Sequence, residues 1–186
     1  MYGPIMILVN DVEKTLRDSI LAQGLDVMAV VHANKSELPG LGLEKPAAIL
    51  LVGSSGSKAW PVFSASNEYL DGAPDSLDRW AKRIGEALAK EFGVHVLFPF
   101  DGPPYWPFLT WASRSGLSSP SALGMHIHSE FGLWHAYRFA LVIDNAEQKL
   151  PKAPVSHAKS ACEGCEEQPC LSACPAGAFS PGALQC

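Results

Sequence analysis

Ile127-His128-Ser129-Glu130-Phe131-Gly132-Leu133-Trp134 stands between two runs that read as strands, Leu123–His128 and Trp134–Ile143. Gly132 gives the intervening Ser129–Leu133 the backbone freedom of a tight turn, with Phe131 and Trp134 as core aromatics beside it. One strand therefore follows another with no helix between them. Upstream, Val12, Leu16, Ile20 and Leu21 recur at helical spacing within Asp11–Gln23, with Asp11 to cap the first turn and Gly24 to end the last. Leu25–Ala33 and Ala47–Val52 are short aliphatic runs bounded by Gly, Pro, Asn and Ser, as strands buried on both faces are, with a Gly- and Pro-rich loop between them. The clearest helix covers about Asp75 to Phe92: Leu77, Trp80, Ala81, Ile84, Leu88 and Phe92 form one stripe, and Gly93 supplies a stop. Its other face is charged. A third strand, Val94–Phe98, enters Pro99–Pro107, whose prolines cannot continue regular structure, and Phe108–Ser115 reads as a short helix. Helices and strands mix without strict alternation, which favours an α+β domain over a doubly wound parallel sheet.

The chain has 186 residues, 47% apolar and 18% charged, enough for one compact core with a small appendage. A formal charge of -5 and no Lys/Arg-rich run argue against nucleic acid as a primary partner. The longest apolar runs, such as Ala47–Val52 and Val94–Phe100, fall far short of a bilayer span, and the N-terminus has no basic segment ahead of a signal-like stretch. These features predict a soluble, cytoplasmic protein without a membrane partner. Apolar density falls from Asn145 to Ser160, so the expected division is a domain over 1–150 and a small terminal segment over 151–186.

Four of the five cysteines crowd into Cys162-Glu-Gly-Cys165-Glu-Glu-Gln-Pro-Cys170-Leu-Ser-Ala-Cys174-Pro175, and the fifth is Cys186. A disulfide framework spreads its cysteines through the fold it staples, whereas such crowding suggests a metal. The run resembles that of bacterial ferredoxins, in which thiolates hold a [4Fe-4S] cluster and a proline follows the last cysteine. It departs in having four residues, not two, between Cys165 and Cys170. Four close thiolates also satisfy tetrahedral zinc. The resemblance leaves the fourth ligand open between Cys174 and Cys186. The chain stops where a second cysteine motif would begin in two-cluster ferredoxins, so the expectation is a truncated chain that has lost a second cluster.

The segment Ile127–Trp134, with Arg138 beyond it, resembles the Ile-His-x-x-Phe-Gly-x-Trp segment of the cobalamin-processing (decyanase and dealkylase) proteins and the corresponding segment of epoxyqueuosine reductases. Trp111-Ala-Ser-Arg-Ser-Gly-Leu117 is similar to an upstream element of those reductases, which also carry a ferredoxin-like cysteine module after this domain. The resemblance covers about Phe98 to Cys186. It implies a nitroreductase-like α+β domain, a mixed sheet with flanking helices, that holds cobalamin, followed by a ferredoxin-like segment whose cluster delivers electrons to cobalt. It implies cofactor contacts from His128, Phe131, Gly132, Trp134 and Arg138. Asp101 lies one residue out of step with an acidic residue proposed as a proton donor in the reductases, although an aspartate before Gly-Pro-Pro is also a turn former. His126 and His128 share a strand face and could pair as metal ligands or simply as hydrogen-bonded histidines. Gly53-Ser-Ser-Gly-Ser-Lys58 lacks the full phosphate-loop pattern and reads as a loop.

Three functions follow as expectations. The first is a corrinoid-dependent or corrinoid-processing reductase acting on a small-molecule or protein-linked corrinoid. The second is a ferredoxin-like electron-transfer protein without corrinoid that docks a redox partner protein. The third is a zinc-stabilised interaction protein. The acidic charge counts against a tRNA substrate.

Overall fold

The computed structural model describes residues 4–144, 160, 162–180 and 183–184. Helix α1 (Pro4–Ala22) starts earlier than expected, so Asp11 lies within it rather than at its start. Leu16 and Ile20 are buried as the periodicity requires, but Leu21 points outward at 55% exposure. Gly24 ends the helix with φ at 71°, and a Cβ there would sit 2.6 Å from the Lys58 carbonyl oxygen. Glycine is therefore needed for backbone freedom and for close approach.

Strands β1 (Asp26–Ala33) and β2 (Ala47–Ser55) follow, then two short helices the periodicity had not shown, α2 (Trp60–Ser64) and α3 (Asn67–Leu70). Helix α4 (Ser76–Phe92) buries Trp80, Ala81, Ile84 and Leu88 as its stripe predicts. After β3 (His95–Leu97) and α5 (Phe108–Arg114) come β4 (Ser118–Pro120), β5 (His126–His128) and β6 (His135–Ile143). The strand expected over Leu123–His128 is only the last three residues of that run, because Ser121 and Met125 close a hairpin turn through Ser121 N–H donating to Met125 O at 2.8 Å. The cysteine segment contributes one helical turn, α6 (Pro169–Ser172), and a pair of two-residue strands, β7 (Phe179–Ser180) and β8 (Ala183–Leu184).

The main sheet has the order β1-β2-β6-β3, and each of its three pairings is antiparallel. The expected mixed sheet is thus corrected to an antiparallel one within an α+β fold. No crossover helix separates β5 from β6, so the aromatic turn is followed directly by an antiparallel central strand. β2 and β6 occupy the centre, which is why Ala47–Val52 is apolar at every position rather than every second one. Leu50 and Val52 face α1 and α4 together with Phe139 and Leu141, while Ile49 and Leu51 face α5 together with Trp111, Ala140 and Val142. Each such fully buried aliphatic side chain is worth about 1.5–3 kcal/mol, so this two-sided core is what holds the sheet end described below in place.

Two arginines tie α3 to α4: Arg79 pairs with Asp71 at 2.7 Å and Arg83 with Glu68 at 2.5 Å. The Arg83 hydrogen bond holds the Glu68 carboxyl at about 2, and Arg79 does the same for Asp71. A carboxylate depressed in the folded state stabilises it above the unfolded value near 4.5 and loses that contribution as pH falls toward 2. The thermal midpoint is expected to fall over this window. In Glu68→Gln the midpoint should start lower at neutral pH, and its difference from wild type should vanish near pH 2. A constant difference would count against the pairing.

Candidate functional site

One end of the sheet gathers the candidate residues. β6 begins there at His135, opposite Ser55 at the end of β2, and β1 begins there at Asp26, opposite Gly53. β3 runs antiparallel to β6 and leaves at Leu97, opposite Ala140, so the loop bearing Asp101 emerges toward the same end. The register slips in two places: Met28 is the extra residue between Val27 and Ala29, and Arg138 is the extra residue between Tyr137 and Phe139. Bulges of this kind release backbone groups from the ladder and re-aim side chains.

His128 uses what the first bulge releases. It is 4% exposed, and its Nδ1 accepts the amide N–H of Glu130 at 3.1 Å and of Phe131 at 3.4 Å. The proton therefore sits on Nε2, which donates to the Met28 carbonyl oxygen at 3.1 Å. With both nitrogens engaged inside the protein, His128 ligates no metal and shapes the turn instead. Its ring stacks on Phe131 at 4.6 Å, and His128 and Gly132 exchange backbone hydrogen bonds of 2.9 Å in both directions. Gly132 has φ at 59°, and nothing lies within 4 Å of where its Cβ would stand. The turn needs glycine for its backbone angle, and glycine leaves that side open.

Beyond the glycine the chain presents apolar surface outward. Trp134 is 81% exposed and Leu133 39%. Trp134 is thus no core aromatic, contrary to the expectation for a plain turn between strands. The turn is braced from behind, because Gly56 N–H donates to the Trp134 carbonyl oxygen at 2.9 Å. Lys58 Nζ stands 5.7 Å above the Phe131 ring and 3.2 Å from Asp26 Oδ1, and Ser55 Oγ donates to Asp26 Oδ2 at 2.5 Å. Gly53–Ser55 thus continue β2, against the expected loop, and only Gly56–Lys58 form the turn that serves this brace, with its Gly56 amide already used. Sequence reasoning missed Asp26, Met28, Ser55 and Lys58. The Ser-Ser-Gly-Ser-Lys composition was the one signal, and nothing in it names Asp26 or Met28 as partners.

His135 Nδ1 lies 2.9 Å from the Gly132 carbonyl oxygen, so this nitrogen carries the proton and donates. Burial holds its pKa below the ordinary value, and burial does the same for His126, whose Nδ1 is 3.3 Å from Ser118 Oγ. His126 and His128 thus bond different partners rather than one metal. Arg138 is half-buried, its Nε donates to Ser54 Oγ at 3.3 Å, and burial lowers its pKa against the pull of Asp78. Asp101 makes a local pair: its amide donates to Phe98 O at 3.2 Å and its Oδ2 accepts the Phe98 amide at 3.3 Å. That is the bonding of a turn former.

Cys162, Cys165, Cys170 and Cys174 are part-buried free thiols, and Cys186 lies outside the described residues. The expected boundary at 150/151 also lies outside them. Backbone amides of Ala178, Ala176 and Gly177 hold the Cys174 thiol below its ordinary range. Four thiols in one short segment, one of them with amide donors, suit a soft metal centre by chemistry. Among the described residues, no three His, Cys, Asp or Glu side chains are gathered closely enough to hold a metal ion.

No protein-family model matches the chain, and no curated protein does. A crystal structure of the C. elegans B12-trafficking protein CblC, a human MMACHC homologue, superposes on it with a TM-score of 0.53. The two share a fold. The match covers 82% of this chain and 78% of CblC at 13% identity. The α+β architecture with its antiparallel sheet is therefore CblC-like.

Proposed function

We propose that this protein is a corrinoid-dependent or corrinoid-processing reductase that binds cobalamin on the Phe131–Trp134 turn and holds a [4Fe-4S] cluster on its terminal cysteines. The observation that carries this reading is an 81%-exposed tryptophan beside an open glycine, on a turn braced from behind, in a fold shared with a B12-trafficking protein. An exposed indole is costly to leave in water and well shaped to lie against a flat macrocycle. Trp134 and Leu133 would supply that contact. Gly132 would let the backbone approach, and His128, Phe131 and Lys58 would keep the turn rigid. Arg138 would give a polar contact at the rim, and Asp101 would hold or donate a proton near the substrate.

Cys162, Cys165, Cys170 and one of Cys174 or Cys186 would hold the cluster, which when bound supplies single electrons to cobalt. The amide donors around Cys174 favour it as the fourth ligand. The finer assignments, a nitroreductase-like domain over 1–150 and a ferredoxin-like segment over 151–186, belong to this reading. So does a small-molecule or protein-linked corrinoid as substrate, since a charge of -5 is poorly suited to approaching tRNA. The proposed location is the cytoplasm, where thiols stay reduced. None of the described helices is long and apolar enough to cross a membrane.

Anaerobic purification with metal analysis and an absorption spectrum, recorded with and without cobalamin, tests the proposal. About four irons per chain with a shift of the cobalamin bands is the expected result. Iron without the shift would leave an electron carrier that docks a redox partner, and zinc without iron would leave an interaction protein. Trp134→Ala is expected to weaken cobalamin binding about tenfold, the worth of one aromatic contact and its buried area. Its thermal midpoint should not change, because the side chain is exposed. Equal affinity in the variant would move the binding face elsewhere.

A further inference from the structure

Among the described residues, a side-chain hydrogen bond fastens the start of the cysteine segment to the main domain. Ser119, on β4, donates its hydroxyl to Ser160 Oγ at 3.1 Å across 41 residues of chain. The same Ser160 oxygen accepts the Cys162 amide at 3.3 Å, and the Ser160 carbonyl accepts the Glu163 amide at 3.0 Å. Ser160 thus caps the turn that begins the cysteine segment, and it does so while held by a strand of the other part of the protein. Ser118, the neighbour of Ser119, is already engaged with His126 Nδ1 at 3.3 Å. Adjacent strand residues point to opposite faces, so Ser119 is the one left to face the segment.

The seat matters because of what lies beside it. β4 pairs with β5 so that Ser118 stands opposite His128 and Ser119 opposite Ile127, and His128 bridges in turn to Gly132. Ser118, His128 and Gly132 therefore lie side by side on three adjacent backbones. At about 4.8 Å per step, Gly132 is roughly 10 Å from the strand that holds Ser160. The start of the thiolate segment and the aromatic–glycine turn are thus attached to one small hairpin.

We propose that Ser119 is a positioning residue that, through Ser160, docks the cysteine segment on the β4–β5 hairpin and so fixes its separation from the Phe131–Trp134 face. The docking stands whichever metal the thiolates take. Its use, to hold an electron donor close to a corrinoid, rests on the function proposed above.

Hydrogen exchange on the full-length, anaerobically purified protein tests the docking. In Ser119→Ala, amides of 162–178 are expected to exchange about fivefold faster, the worth of one side-chain hydrogen bond, while β2 and β6 keep their protection. Ser119→Thr, which retains the hydroxyl, should behave as wild type. Unchanged exchange in Ser119→Ala would overturn the docking.

For its use, protein loaded with iron and sulfide is reduced anaerobically with dithionite, freed of excess dithionite by desalting, and mixed with cob(III)alamin. One electron then leaves the reduced cluster and lowers the cobalt oxidation state by one, which is followed by absorbance. Ser119→Ala should slow that transfer by up to about fivefold with iron content and cobalamin affinity unchanged, and Ser119→Thr should restore it. Faster exchange with an unchanged rate would overturn the positioning role. Faster exchange in a protein that takes up neither iron nor cobalamin would support the docking and overturn the proposed function instead.

Discussion

Replacing His128 by alanine is expected to destabilise the protein by about 3–4 kcal/mol and to abolish ordered presentation of the Phe131–Trp134 turn. The magnitude follows from what the ring does in a site where it is 4% exposed. It satisfies three backbone groups: the amides of Glu130 and Phe131, which donate to Nδ1, and the Met28 carbonyl, which accepts from Nε2. Met28 sits at the bulge of β1, so its carbonyl has this side chain where a ladder bond would otherwise be. Alanine leaves those groups without partners and removes the stack on Phe131 as well. In a chain of this size the thermal midpoint should fall by roughly 10 °C. His128→Gln can still present one acceptor and one donor and should recover part of the loss. A midpoint within about 2 °C of wild type for His128→Ala would mean that the turn is held by something other than this ring.

Gly53→Ala should be nearly as damaging, at roughly 2–4 kcal/mol. Gly53 is in β2, opposite Tyr137, where β6 bulges at Arg138. A Cβ there would run into the Ala136 carbonyl oxygen and stand 2.5 Å from Met28 Sδ. The methionine can rotate away, but the carbonyl belongs to a central strand and cannot. Relief would require the two central strands to part at the end of the sheet that carries the turn. Thermal unfolding checks the size of the effect, and cobalamin titration at a temperature where the variant is folded checks its reach. A loss below about 1 kcal/mol would show that the bulge opens easily.

What could be read beforehand and what could not differ in kind. The stripe of α4 was legible because helical periodicity is a property of neighbouring residues, and Trp80, Ile84 and Leu88 are buried accordingly. The continuous apolar run of β2 announced a strand covered on both faces. Asp11 misled because a capping residue type also occurs inside helices, where the backbone already has partners. Leu123–His128 misled because alternation and apolarity do not report where Ser121 and Met125 close a turn. At the site, the turn and its glycine were legible, since φ above zero at Gly132 is a local demand. The face on which Trp134 lies was not, because exposure depends on what else covers the residue.

By itself, the sequence determined helix α4, the two-sided burial of the central strand, the turn at Gly132 and the concentration of four thiols in one short segment. These follow from periodicity, backbone stereochemistry and spacing, which act between residues a few positions apart. Only the tertiary structure decided that the sheet is antiparallel, that Met28 fixes the tautomer of His128 across 100 residues, and that Asp26, Ser55 and Lys58 brace the aromatic turn. It also decided that Ser119 holds the start of the cysteine segment. Such contacts depend on strand order and register, which are set by the packing of the whole core on both faces of the sheet and leave no periodic mark on the residues they join.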